Sequence, residues 1–321
     1  GCPYSIKDYK AIDPELSINE KAIEDDTHPF SEFKKLVDYA HSLGIRVIMD
    51  LVFNHSAHDS VFQRIHPEWY LYKQDITSLE EAYIYPEEIH NKKPWGSAKH
   101  TFAPNDHGHW WQDAAQLNWN NIEDYPEYIM QHIAPNSPPQ NPTINEMYEY
   151  FKSVCKYWVK EFGIDGFRCD VAYRVPLDFW KQCIIETREV AKQSYPENGR
   201  VDGDVVFIAE NYYVDLLNHL KNRLTACYGD FSNKLANHLD VKGYLEYMYN
   251  IGQESFPEES RWFIFPECHD FHRTPSKVAG NSGHPDADLH ANKSRWTLTC
   301  CLPGMPMIFN GFEKIEWQPV N

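Results

Sequence analysis

Four apolar runs each stop on acidic, amide, histidine or arginine side chains, with helix-length segments between most of them. Asp50, Asn54 and His55 close IRVIMDLVFNH, and Arg168 and Asp170 lie in IDGFRCDVA. Glu210 closes DVVFIAEN, and His269 with Asp270 closes RWFIFPECHD. A run that is apolar nearly throughout is what a parallel strand buried on both faces requires. Strands that alternate with helices build a parallel sheet and gather strand-end side chains at its C-terminal edge. The pattern therefore predicts an α/β fold whose chemistry rests on carboxylates, two histidines and an arginine.

The same grammar runs along most of the chain. Met147, Tyr150, Phe151, Val154, Tyr157 and Trp158 recur at helical spacing, which predicts a helix over 144–162 ended by Gly163. Strands are expected at 164–171, 204–210, 225–229, 261–268 and 305–310, with helices at 177–194, 213–223, 233–252 and 286–301. Nearer the start, Ser31 is the expected N-cap of a helix ended by Gly44, and strand 45–53 follows. That makes six strands where a closed (β/α)8 barrel has eight; an open six-stranded sheet is the rival. Between His55 and residue 143 the pattern breaks. The stretch is far longer than the usual loop of about 2–6 residues, so 57–120 reads as a small inserted domain. The barrel portion is then 1–56 and 121–321.

Composition removes several function classes. The formal charge is −17, from 47 acidic and 30 basic side chains, and an acidic surface repels phosphate backbones, so no nucleic acid is expected. No run approaches the roughly 18 apolar residues of a membrane span. The first residues, GCPYSIKDYK, lack the hydrophobic core of a secretory leader. The eight cysteines form no CxxC pair. Cys155, Cys169, Cys183, Cys268, Cys300 and Cys301 fall in expected helices or strands and read as buried free thiols, which favours a reducing, cytoplasmic setting.

Side chains i and i+2 share a face of a strand, so Arg168 and Asp170 point the same way. A guanidinium keeps its neighbouring carboxylate ionised, as a nucleophile needs; a purely structural ion pair is the alternative. Glu210, at the edge of an apolar wall, suits a general acid, or is a solvated strand end. His55 and His269 can donate to a hydroxyl or serve as ordinary polar residues.

These segments, in this order, resemble the α-amylase family, glycoside hydrolase family 13. The matching stretches are DLVFNH (50–55), AQLNWNN (115–121), GFRCDVA (166–172), IAEN (208–211), ECHD (267–270) and PGMPMIFNG (303–311). The resemblance implies a TIM (β/α)8 barrel with a small inserted domain after the third barrel strand. It implies Asp170 as nucleophile, Glu210 as general acid/base and Asp270 as the third carboxylate, with Arg168, His55 and His269 binding substrate. PYSIKDY (3–9) is similar to the segment after the second barrel strand, which makes Tyr4 the ring under the sugar. On this resemblance about six of eight strands are present; the first two strands and the C-terminal β domain have no counterpart, and two strand edges are left unpaired. Cys268 stands where the fourth motif usually has Asn, and Arg174 where many members have a His that helps shape a calcium site. No cofactor is required; calcium is possible, with Asn54 as its ligand or else in a local hydrogen bond.

The implied partner is a starch-like α-glucan or malto-oligosaccharide, cleaved with retention by double displacement. A glucanotransferase or glucosyl isomerase would use the same site and differ only in the acceptor. A metal-dependent hydrolase built on His55, His269, Asp270 and Glu210 would want ligands at metal spacing, and no His-x-His ends a strand. A non-catalytic scaffold or inactive fragment is the remaining alternative, although all three carboxylates are present.

Overall fold

The computed structural model describes residues 5–16, 28–71, 103–104, 110–111, 114–121, 140–194, 205–211, 224–229, 232, 235, 240–252, 261–270, 273–274 and 285–316. Two compact units make up the chain, Gly1–Phe207 and Ile208–Asn321.

In the first unit, helix α1 (His28–Ser42) precedes strand β1 (Ile48–Val52). The helix starts three residues before the expected cap, which corrects Ser31 to an interior position. Pro29 explains the earlier start, since the first helical turn has no use for the N–H that proline lacks. Gly44 ends the helix as expected, with φ of 74° and its N–H bonded to the His41 carbonyl at 2.9 Å. Then come β2 (His55–Ala57), α2 (Val61–Ile65), β3 (Ala103–Pro104), β4 (Trp110–Trp111) and β5 (Ala114–Gln116). Strands β2 and β5 pair antiparallel, as do β3 and β4. Helix α3 (Ile144–Tyr157) widens to a π turn over Trp158–Phe162 and stops at Gly163, φ 76°. Strand β6 (Gly166–Asp170) and helix α4 (Leu177–Ser194) complete the unit.

Strand β6 pairs parallel with β1, and Asp50 lies opposite Arg168 in the register. Asp165 sets that register from below: its Oδ2 accepts the Val47 N–H at 2.8 Å, and its own N–H donates to the Val47 carbonyl at 2.9 Å. Strand β7 (Val206–Asn211) starts in this unit and continues into the next. At its start the Val206 N–H reaches the Asp165 carbonyl at 3.1 Å. Gly166 is required there, because a Cβ would lie 2.3 Å from Val206 Cγ2 and 2.6 Å from the Val206 carbonyl oxygen.

The core of this unit is aromatic. Phe53 stacks on Trp180, meets Phe151 at a tilt with a 4.8 Å centroid distance, and its carbonyl accepts the Trp119 indole N–H at 2.9 Å. Trp119 is 2 % exposed, so packing accounts for it.

The second unit carries the rest of β7, then β8 (Ala226–Gly229), α5 (Val241–Gly252), β9 (Arg261–Ile264), α6 (Pro285–Cys301) and β10 (Met305–Pro306). Strand β8 runs parallel to β7 and β9, and β10 runs parallel to β9. Asp240 caps α5 by accepting the Gly243 N–H at 2.8 Å. The last strand is shorter than the expected 305–310; Pro306 has no N–H to extend the ladder. The helix expected at 213–223 lies outside the described residues. Cys300 and Cys301 are exposed, which corrects their reading as buried thiols. Helix α6 turns Asn292, Arg295 and Thr299 inward, and that spacing of three and four leaves residues 300 and 301 on other faces.

Six parallel strands alternating with helices form an incomplete (β/α)8 barrel pattern. Among the described residues β1 pairs only with β6, and β10 only with β9. Ile48 and Met305, on these two edges, are both more than two-fifths exposed, matching the expectation of two open edges. No described helix is long and apolar enough to cross a membrane.

Candidate active site

The first unit assembles one anionic cluster. Arg168 Nη1 donates to Asp170 Oδ1 at 2.6 Å and to both Asp50 oxygens, at 3.0 and 2.9 Å. The i, i+2 spacing on β6 brings Arg168 to Asp170, and the β1–β6 register brings in Asp50. Phe167 and Cys169, on the opposite face, are fully buried. The Asp170 side chain is 9 % exposed and that of Asp50 38 %. The turn directly after Asp170 is strained: Val171 has φ 46° and ψ 41°. A β-branched residue in the left-handed region costs on the order of 1–3 kcal/mol. The Trp180 indole N–H holds that turn by bonding the Ala172 carbonyl at 3.0 Å.

Beside β1, Asn54 and His55 are buried. Asn54 Oδ1, the oxygen a calcium ion would use, accepts Gln116 Nε2–H at 2.8 Å, and Asn54 Nδ2 donates back to Gln116 Oε1 at 3.2 Å. The same nitrogen lies 3.2 Å from His55 Nδ1. With Nδ1 accepting, the neutral ring keeps Nε2–H as its donor. Asn54 thus sits in a local amide network, and Gln116 is a residue the motif AQLNWNN contained without advertising its role. Tyr9 closes the cluster by donating its hydroxyl to the His55 carbonyl at 2.7 Å. Burial, with Tyr70, Tyr150 and Asp170 as neighbours, pushes its phenol well above the ordinary value.

In the second unit Glu210 lies near the end of β7, opposite Tyr228 of β8, and is 6 % exposed. The amide nitrogen and oxygen of the next residue, Asn211, are buried with no hydrogen-bond partner. His269 Nε2 lies 3.4 Å from Asp270 Oδ1. With Cys268 they form a mixed donor set within 4.8 Å of one another that could hold a metal ion. Glu267 below them is wholly buried and paired with Arg273 at 2.8 Å. Tyr4 lies outside the described residues.

Comparison with known proteins adds three findings. A family model described as alpha-amylase, catalytic domain, matches residues 2–232. A cyclomaltodextrinase from a Bacillus species is 30% identical over 194 residues, 60% of this chain and 26% of its own length. An intracellular maltogenic amylase of Bacillus subtilis is 28% identical over 178 residues, 56% of this chain and 22% of its own. The chain therefore spans about a quarter of the length of the curated relatives it matches. Among solved structures, an alpha-amylase from Lactobacillus plantarum superimposes with a TM-score of 0.62 at 24% identity, covering 100% of this chain and 61% of that one. At that identity the likeness shows the fold.

Proposed function

Because this chain belongs to the alpha-amylase catalytic-domain family, we propose that it serves as the catalytic portion of a retaining α-glycosidase acting on malto-oligosaccharides or starch-like α-glucans. The observation that carries this reading is the Arg168 contact with Asp170. A guanidinium bonded to a nearly buried carboxylate favours the anion a nucleophile must be. Asp170 forms a bond to the anomeric carbon as the glycosidic C–O bond breaks, and Glu210 gives its proton to the leaving oxygen. In the second step Glu210 takes a proton from water, the water oxygen bonds to the anomeric carbon, and Asp170 leaves. Asp270 stabilises the oxocarbenium-like state and Arg168 orients and ionises Asp170, while His55, His269 and Tyr4 hold the ring. No step requires a metal or cofactor.

Hydrolysis, rather than transfer to a second sugar, is favoured by the name of the cyclomaltodextrinase relative. An internal location is favoured by the relative named as intracellular. Proton NMR of the first product released from a malto-oligosaccharide tests the mechanism. The α-anomer is expected to appear first and then mutarotate; early β-anomer would exclude double displacement.

A further inference from the structure

We propose that Arg273 is a positioning residue that, with Glu267, holds the turn bearing His269 and Asp270 in its working conformation. This rests on the reading of Asp270 as a catalytic carboxylate. Glu267 is 0 % exposed and Arg273 5 %, so the two charges are a buried pair. Arg273 Nη1 donates to Glu267 Oε1 at 2.8 Å and to the Asn310 carbonyl at 2.8 Å. The guanidinium lies over the Phe309 ring at 4.2 Å. The Thr274 N–H bonds the other carboxylate oxygen, Glu267 Oε2. Both oxygens of Glu267 are thus engaged by Arg273 and Thr274, so His269 and Asp270 lie in the chain between two anchored points.

The Asn310 contact ties the loop to a second strand end. Asn310, Gly311 and Phe312 form the turn after β10, where Gly311 has φ 90°. A Cβ on Gly311 would meet Arg273 Nη2 at 3.5 Å, an ordinary contact distance, so the guanidinium lies beside this turn. The flat guanidinium lies on the Phe309 ring while its Nη1 serves both acceptors, and the tetrahedral ammonium of lysine does not reproduce that stacked geometry. Displacing catalytic groups by about 1 Å can cost on the order of 10²-fold in rate. The clamp therefore sets the placement of Asp270 without touching substrate.

The test compares the parent protein with Arg273→Lys and Asp270→Asn variants and their combination. Circular dichroism first establishes folding, and Glu267→Gln is the substitute should Arg273→Lys fail to fold. Arg273→Lys is expected to lower kcat by about 10- to 100-fold with little change in KM. In the Asp270→Asn background the same change is expected to have almost no further effect, a non-additivity that general destabilisation would not produce. Parent-like kcat in a folded variant, or full additivity with Asp270→Asn, would overturn the proposal. Hydrogen exchange keeps this result separate from the functional reading. Arg273→Lys is expected to speed exchange in 268–272 and 307–312 alone. Unchanged exchange there refutes the clamp even for a parent without glycosidase activity, whereas an inactive parent with the expected exchange refutes the function and leaves Arg273 a structural clamp only.

Discussion

Replacing Arg168 by methionine is expected to cost far more stability than neutralising Asp50, the more exposed of the two carboxylates it binds. The guanidinium nitrogen lies 2.9 Å from one Asp50 oxygen and 2.6 Å from one Asp170 oxygen, so these two oxygens are at most about 5.5 Å apart. At an effective dielectric of about 20 their repulsion is about 3 kcal/mol. Solvent around the 38 % exposed Asp50 reduces this to on the order of 1–2 kcal/mol. Breaking a buried pair by removing one partner costs about 3–5 kcal/mol in total, so Arg168→Met falls in that range. Asp50→Asn removes the more exposed contact and costs about 1 kcal/mol or less. The double variant Arg168→Met with Asp170→Asn leaves no uncompensated charge at β6, and it regains about 2–4 kcal/mol over Arg168→Met alone. Urea denaturation followed by fluorescence, with m-values compared, measures all three. The reasoning is refuted if the double variant is no more stable than Arg168→Met, or if Asp50→Asn is as damaging as Arg168→Met.

Four further outcomes follow from the packing. Gly166→Ala drives a Cβ against the Val206 backbone and side chain, and thermal melting should show a loss of at least about 1–3 kcal/mol. Thr187 buries its hydroxyl without a partner, so Thr187→Val should stabilise by about 1 kcal/mol, read in the same melts. Burial raises the thiol pKa values of Cys155, Cys169 and Cys227. The folded state therefore holds these protons where the unfolded chain has lost them, so stability is full below the unfolded value of about 8.5 and declines as pH rises above it. Denaturant midpoints at pH 7 and 10 check that sign, and maleimide should modify exposed Cys300 and Cys301 before the buried thiols.

The features legible in the chain were those written locally. Apolar runs placed the strands within a few residues, Gly44 and Gly163 stopped their helices, and the two-residue spacing on β6 already paired Arg168 with Asp170. Contacts set by register were not legible. Asp50 shares Arg168 across 118 positions, and Gln116 meets Asn54 across 62; neither pairing has a local signature. The Glu267–Arg273 clamp, only six residues apart, was hidden for another reason: a charge in or near ECHD looks like any other until its burial is known. Membership of a helix likewise says nothing of facing, which is why Cys300 and Cys301 were misjudged.

The central claim is that Asp170 attacks the anomeric carbon. Incubation of the folded, full-length protein with a fluorinated glucosyl fluoride, followed by peptide mass mapping, tests it directly. The account predicts one glucosyl adduct, on the peptide containing Asp170, and its disappearance in Asp170→Asn. A folded, full-length protein that gains no label, or one labelled on another carboxylate, would contradict it.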